Sequence, residues 1–260
     1  MDYLKSPLRY PGGKSRAVKE ITKYFPKAEE YVFPFTGGAS IELFTFQNLS
    51  KNIKCYDVFQ PLINFWNSLS NHNDEMIEHI QKHYPLSRDA FYSLQKNTKI
   101  TADPIQQGAE FYVLNRCSFS GSTLSGGISP NHPRFTEKGI ESLRKYKGLG
   151  FTVENKSFEE SVSKTPSESF LYLDPPYKIK GDNLYGDKGS THKFFNHLLL
   201  RDVLQDKKNW IMSYNDSDEI RNLYSDYKII SLEWAYGMTK NRKSKEILIF
   251  GEEGLSVIKQ

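Results

Sequence analysis

The chain has 260 residues, 38% of them hydrophobic, 25% charged and 14% aromatic, with a net charge of +4. That composition is too aromatic for a disordered protein, and the length suits one large domain or one domain carrying an insertion. No apolar run reaches the ~18 residues of a membrane span, and the start, MDYLKSPLRYPGGK, lacks the apolar core of a signal peptide, so an intracellular protein with no membrane partner is expected.

In chain order, the apolar run 31–35 reads as a strand, a glycine turn follows at 37–38, and a helix starts at Ser40. A second strand covers 53–56 and ends at Asp57, ahead of a helix whose Leu62, Ile63 and Trp66 share one face. Residues 72–150 break the rhythm: helical patterns at 72–83, 87–96 and 104–117 give way to a polar Gly/Ser/Pro-rich stretch at 118–134. Strand patterns return at 170–173, 210–213, 228–232 and 246–250, with helical stretches near 194–205 and 217–224. Strands alternating with helices predict an open α/β sheet. The expected division is a sheet domain of 1–71 and 151–260, interrupted by a mainly helical insertion over 72–150.

Two constellations carry chemistry. The first is Phe33-Pro34-Phe35-Thr36-Gly37-Gly38-Ala39-Ser40, a strand entering a glycine turn and then a helix, with Asp57 twenty residues after Gly37 at the end of the next strand. Glycines admit a ligand close to the backbone, and an acid at that spacing takes the ribose hydroxyls of an adenosine in doubly wound folds. A plain structural turn with a surface Asp remains the alternative. The second is Asp174-Pro175-Pro176-Tyr177, directly after the apolar run 170–173. Two prolines make a rigid corner at the strand's carboxyl end, where open sheets bind ligands. The corner holds a carboxylate, a carbonyl and an aromatic ring, groups that suit a planar base bearing an exocyclic amine.

Charge is unevenly placed. Residues 1–27 carry seven Lys/Arg against Asp2 and Glu20, and Lys240, Arg242, Lys243 and Lys245 face only Glu246. The two patches suit a polyanion if the fold brings them together, and a solvated surface if it does not. Cys55 and Cys117 show no CxxC or Cys/His spacing, so buried thiols are expected. The six histidines form no ligand set, and no metal is expected.

With DPPY after a strand, FxGG before a helix, and the early Arg9-Tyr10-Pro11-Gly12-Gly13-Lys14, the chain resembles the Dam-type (D12 class) DNA adenine-N6 methyltransferases in motif content and order. Asp57-Val58-Phe59-Gln60-Pro61-Leu62-Ile63, Asn115-Arg116-Cys117-Ser118-Phe119-Ser120-Gly121, Ser213-Tyr214-Asn215-Asp216 and Glu246-Ile247-Leu248-Ile249 are similar to further segments of that family. The resemblance implies a Rossmann-like methyltransferase sheet with a target-recognition insertion. It also implies transfer of a methyl group from S-adenosylmethionine, leaving S-adenosylhomocysteine, to N6 of an adenine flipped out of double-stranded DNA. By the same resemblance Asp174, Pro175, Pro176 and Tyr177 are catalytic, and Tyr10, Lys14, Phe35, Gly37, Gly38, Asp57 and Asp174 line the cofactor site.

Expected DNA contacts are Arg116, Phe119, Ser122, Thr123, Arg134 and Asn131 in the insertion, with Lys14, Lys240, Arg242 and Lys243 on phosphates. Phe119 is read either as a wedge into the duplex or as a core residue, and Arg116 either as a reader or as a structural ion pair. The loop 178–193 after the corner either closes over the substrate or is a surface loop. A cognate restriction endonuclease is the partner such a family suggests. The chain departs from the family pattern in three places. Phe33 stands where an acid is usual, Ala39 replaces a third glycine, and 122–127 differs from GATC-reading members. The remaining readings are a cytosine-N4 methyltransferase, which a DPPY-like turn also serves, and a catalytically silent DNA-binding homologue. A nuclease would need clustered carboxylates with a Lys at metal-binding spacing, which the sequence lacks.

Overall fold

The computed structural model describes residues 3–129, 134–177, 195–235 and 243–252, and the side chains of 233–235 and 243–245 lie outside that description. Seven strands form one sheet: β1 (Tyr31–Phe33), β2 (Ile53–Asp57), β3 (Glu154–Asn155), β4 (Phe170–Leu173), β5 (Trp210–Asn215), β6 (Lys228–Ala235) and β7 (Lys243–Phe250), in the spatial order β3-β2-β1-β4-β5-β7-β6. From β3 to β5 every pairing is parallel, whereas β7 lies antiparallel between β5 and β6. The chain builds β1, β2 and β3 outward on one side, then returns to lay β4 against the other edge of β1. The order therefore reverses between β1 and β4, and a crevice opens at their carboxyl ends.

Side chains alternate across the sheet with the period of two that strands impose. Tyr31, Phe33, Phe170, Tyr172, Ile211, Leu248 and Phe250 enter one core, while Val32, Leu171, Leu173, Met212, Tyr214, Ile247 and Ile249 enter the other. The first core is covered by α1 (Val18–Thr22), α2 (Ser40–Asn48) and α3 (Gln60–Asn71), the second by α8 (Phe158–Ser163), α9 (His197–Leu204) and α10 (Asp218–Leu223). β1 stops at Phe33, two residues short of the expected end, because Pro34 has no N–H for the ladder.

The segment 72–150 holds α4 (Asn73–Gln81), α5 (Arg88–Asn97), α6 (Pro104–Cys117) and α7 (Glu137–Glu141). Ser87 and Asp103 cap α5 and α6 by accepting N–H bonds from Ala90 and Ile105. These helices share the first core: Phe65 of α3 meets Phe111 and Tyr112 of α6 at ring distances of 5.9 and 5.8 Å. The stretch after α6 is less irregular than its composition suggests, with a 3₁₀ turn at Phe119–Gly121 and a bridge between Ser118 and Ile128. Several elements carry too few residues to show a period: α1, α7 and the two-residue β3. Helix α8 does carry a signal, the capping box Ser157-x-x-Glu160. Cys55 and Cys117 are free, buried thiols. Asn131, Lys240, Arg242 and the loop 178–193 lie outside the described residues.

Candidate active site

The crevice between β1 and β4 is a cavity of about 350 Å³, large enough for a small-molecule ligand. Residues 34–42 after β1, 57–59 after β2, Tyr172 and 174–177 at the end of β4 and 10–14 from the N-terminal segment line it. The two constellations and the early GGK turn, separate in sequence, thus face one space. Phe35 packs on Phe158 and Phe195 at 5.8 and 5.7 Å, which gives the cavity an aromatic wall.

The glycine turn lines the cavity and also makes room for a neighbouring side chain. A Cβ on Gly38 would stand 2.7 Å from the Cβ of Tyr10, so this glycine admits the Tyr10 side chain. Ala39, in place of the third glycine, has φ of +50°, in the left-handed region that costs a non-glycine about 1–2 kcal/mol. Its methyl is buried against the first core and offsets part of that cost.

Asp57 ties the turn to β2. One carboxylate oxygen accepts from the Gly37 N–H at 2.9 Å, and the other accepts from Val58 and Phe59 at 2.8 and 3.0 Å. Burial pushes its carboxyl above the ordinary carboxylate range against the pull of these three N–H groups. A carboxylate offers about four acceptor directions, so one remains for a hydroxyl in the cavity.

At the rigid corner, both oxygens of Asp174 accept from the Lys14 ammonium at 2.7 and 2.8 Å, and Oδ1 also accepts from Ser213 at 2.9 Å. Ser213 in turn bonds the Tyr172 hydroxyl at 2.9 Å. Lys14 is 4% exposed and has further partners in the Gly12 carbonyl at 2.9 Å and Glu246 at 3.8 Å. The Tyr177 ring is buried: Tyr214 stacks on it at 5.5 Å, the Lys14 ammonium stands 4.7 Å from its centroid, and its hydroxyl donates to Glu246 at 3.0 Å. Burial and the carboxylates of Asp174 and Glu246 hold that hydroxyl well above its ordinary pKa, so it stays a donor. Tyr177 thus lines the cavity as a ring anchored by Tyr214 and by its hydroxyl. Ser213, Glu246 and Tyr214 were not singled out as site residues. The signals that pointed to Glu246 are its charge at the head of the apolar run 247–250 and the likeness of that segment to one of the family's.

On the α6 side, the Asn115 side chain pairs with the backbone of Arg9 at 2.9 Å in both directions and donates to Gly121 at 3.3 Å. A Cβ on Gly121 would stand 1.9 Å from the Arg9 carbonyl, so only glycine permits this docking. The result is a cluster of Arg9, Arg116 and Arg134, in which burial and then the two neighbouring charges lower the Arg9 pKa. Arg9 was missed as a site residue. Arg116 spends donors on the carbonyls of Arg134 and Pro7 at 3.0 and 3.2 Å rather than on a carboxylate. Phe119 is 67% exposed, which removes the core reading. Ser122 donates to the Phe119 carbonyl at 2.7 Å, and Thr123 is buried with φ of +46°. Lys243 lies on β7.

A family model described as D12 class N6 adenine-specific DNA methyltransferase matches residues 10–238. The chain belongs to that family. Among its relatives, the DNA adenine methylase of Vibrio cholerae serotype O1 is 27% identical over 181 residues, 65% of this chain and 64% of the relative. The modification methylase StsI of Streptococcus sanguinis is 25% identical over 294 aligned residues, covering 96% of this chain and 43% of the relative. The type II methyltransferase M.MjaIII of Methanocaldococcus jannaschii is 24% identical over 205 residues, covering 67% and 70%. The chain thus spans just under two thirds of the Vibrio methylase and less than half of StsI.

Proposed function

We propose that this D12-family chain transfers a methyl group from S-adenosylmethionine to N6 of an adenine in double-stranded DNA at a specific site, releasing S-adenosylhomocysteine. The observation that carries the reading is the position of Asp174: the first residue of a two-proline corner, at the carboxyl end of β4, facing the same cavity as the glycine turn and Asp57. The cavity's residues fit the cofactor. Asp57 keeps an acceptor for a ribose hydroxyl, Phe35 offers an apolar wall, and Tyr10 closes the turn. Bound there, the cofactor supplies an electrophilic sulfonium methyl.

The chain's own residues orient the acceptor. A target adenine leaves the duplex at a cost of a few kcal/mol, since its N6 is otherwise unreachable. Asp174 and the Pro175 carbonyl accept its two N6 hydrogens, and the corner directs the nitrogen lone pair at the methyl. Lys14 now occupies both the Asp174 oxygens and one face of Tyr177. Arrival of the base exchanges the lysine N–H donors for the amine's own, and Lys14 turns to Gly12 and Glu246, which it already approaches. Its ammonium thus keeps the acceptor site polar and charge-balanced between substrates. No metal and no covalent enzyme intermediate enters this scheme.

Residues 72–150 carry target recognition in this reading, supported by the charge of the Arg9, Arg116 and Arg134 cluster and by the exposed ring of Phe119, in the turn whose Gly121 packs on Arg9. Lys240, Arg242 and Lys243 complete the phosphate contacts. A DNA substrate makes the protein intracellular, and no helix among the described residues is long and apolar enough to cross a membrane. A restriction-modification setting with a cognate endonuclease is supported by the name modification methylase carried by one relative. The test is methyl transfer from labelled S-adenosylmethionine to mixed-sequence duplex DNA: incorporation by the wild type and its loss in Asp174→Asn are expected, and equal incorporation by both would refute the assignment.

A further inference from the structure

The cavity contains a buried carboxylate that feels the Lys14 charge without pairing with it. Glu42, in the first turn of α2, is 3% exposed and lines the same space as Asp57 and Asp174. Among the described residues no Lys, Arg or His forms an ion pair with it, and Lys14 is engaged by Asp174 at 2.7 Å. The backbone N–H groups of the first turn of α2, Glu42 and Ile41 among them, offset part of the burial that raises its carboxyl. β1 contributes no charge here, because Phe33 is fully buried in the first core, in register with Cys55 of β2. The Cys55 thiol is raised by burial and then by the charge of Glu42, and the Asp174 carboxylate adds to the burial that raises Glu42 itself. Glu42 thus lies within electrostatic reach of both Cys55 of β2 and the Asp174 corner.

A desolvated carboxylate with no ion-pair partner is costly, and a cation entering the cavity offsets that cost. We propose that Glu42 is the anchor for the ammonium group of an amino-acid-bearing ligand, which in the reading above is the α-ammonium of the methionine portion of S-adenosylmethionine. The inference rests on that reading of the cofactor and deepens it. Asp57 and Glu42 then divide the ligand between them, the first holding the nucleoside and the second the amino acid, while Asp174 is left to the acceptor.

Calorimetric binding of two adenosine thioethers to the full chain tests this: S-adenosylhomocysteine carries the ammonium, and 5′-methylthioadenosine lacks it. Glu42→Gln, nearly the same shape, is expected to weaken S-adenosylhomocysteine by about 10-fold or more, the size of one charge-assisted hydrogen bond, and to leave methylthioadenosine within about 2-fold. Glu42→Asp, which keeps the charge but withdraws it by one methylene, should fall between, and it serves as the test if Glu42→Gln does not fold. Unchanged S-adenosylhomocysteine binding would overturn the proposal, and so would an equal loss for both compounds, which would mark Glu42 as shaping the cavity only. A wild-type chain that binds neither compound would overturn the cofactor reading itself.

Discussion

The Lys14 ammonium lies 2.7 and 2.8 Å from the two carboxylate oxygens of Asp174, joining residues 160 positions apart in the chain, with only 3% and 22% of their side chains exposed. This pair welds the N-terminal GGK turn to the DPPY corner, and Glu246 lies 3.8 Å from the same ammonium. Removing the cation leaves two poorly solvated carboxylates together. Lys14→Met is therefore expected to lower stability by about 3 kcal/mol, softened by the partial exposure of Asp174. Urea unfolding measures this, and a change below about 1 kcal/mol would mean that the pair is screened.

Asp174→Asn keeps the shape of the corner and leaves Lys14 with Glu246 and Gly12. Methyl transfer should fall at least 10²-fold, since an acceptor aimed at the N6 hydrogens is lost, while the fold persists. Circular dichroism and single-turnover kinetics separate the two effects.

Tyr177 splits into a ring and a hydroxyl with different partners. Tyr177→Phe keeps the stack on Tyr214 but strips a donor from buried Glu246, so the expected loss is about 1–3 kcal/mol of stability, with transfer within about 10-fold. Tyr177→Ala also loses base stacking of about 1–3 kcal/mol, and transfer should drop further. A Phe variant of full stability would show that the Glu246 bond contributes nothing.

Much of this site was legible locally. The runs 31–35 and 170–173 announce strands, DPPY can only be a corner, and the spacing from Gly37 to Asp57 is realised as a hydrogen bond of 2.9 Å. What was not legible is who meets whom. Nothing near Lys14 names Asp174 as its partner, and nothing near Gly38 says that it yields to Tyr10, because both contacts depend on how the N-terminal segment crosses the sheet. The alternation at 246–250 predicts a strand but not its insertion, antiparallel, between β5 and β6. Phe33 looked like a missing acid, and only the packing reveals that Glu42, nine positions later, brings a carboxylate to the same cavity.

Glu42 also predicts a pH dependence. Burial raises its folded pKa well above the unfolded value, so its contribution favours the fold at low pH and is lost as pH rises through the folded value. Without ligand, Glu42→Gln should therefore raise the unfolding temperature more at pH 8 than at pH 4.5. Thermal scans at the two values check the sign, and a larger gain at the acidic end would contradict it.

The arginine cluster should act through charge. Arg134→Ala is expected to weaken duplex binding across sequences and to reduce the slope of log affinity against log salt by about 1. Phe119→Ala should leave that slope unchanged while slowing transfer, as loss of a wedge would. Filter binding at several salt concentrations, with parallel transfer rates, distinguishes them.

The most direct test of the central claim is the mass of the modified nucleoside after the chain has acted on unmodified duplex DNA with S-adenosylmethionine. N6-methyl-2′-deoxyadenosine as the sole methylated deoxynucleoside, absent with Asp174→Asn, is the predicted result; N4-methyl-2′-deoxycytidine in its place, or no methylated nucleoside from a folded, cofactor-binding protein, would contradict it.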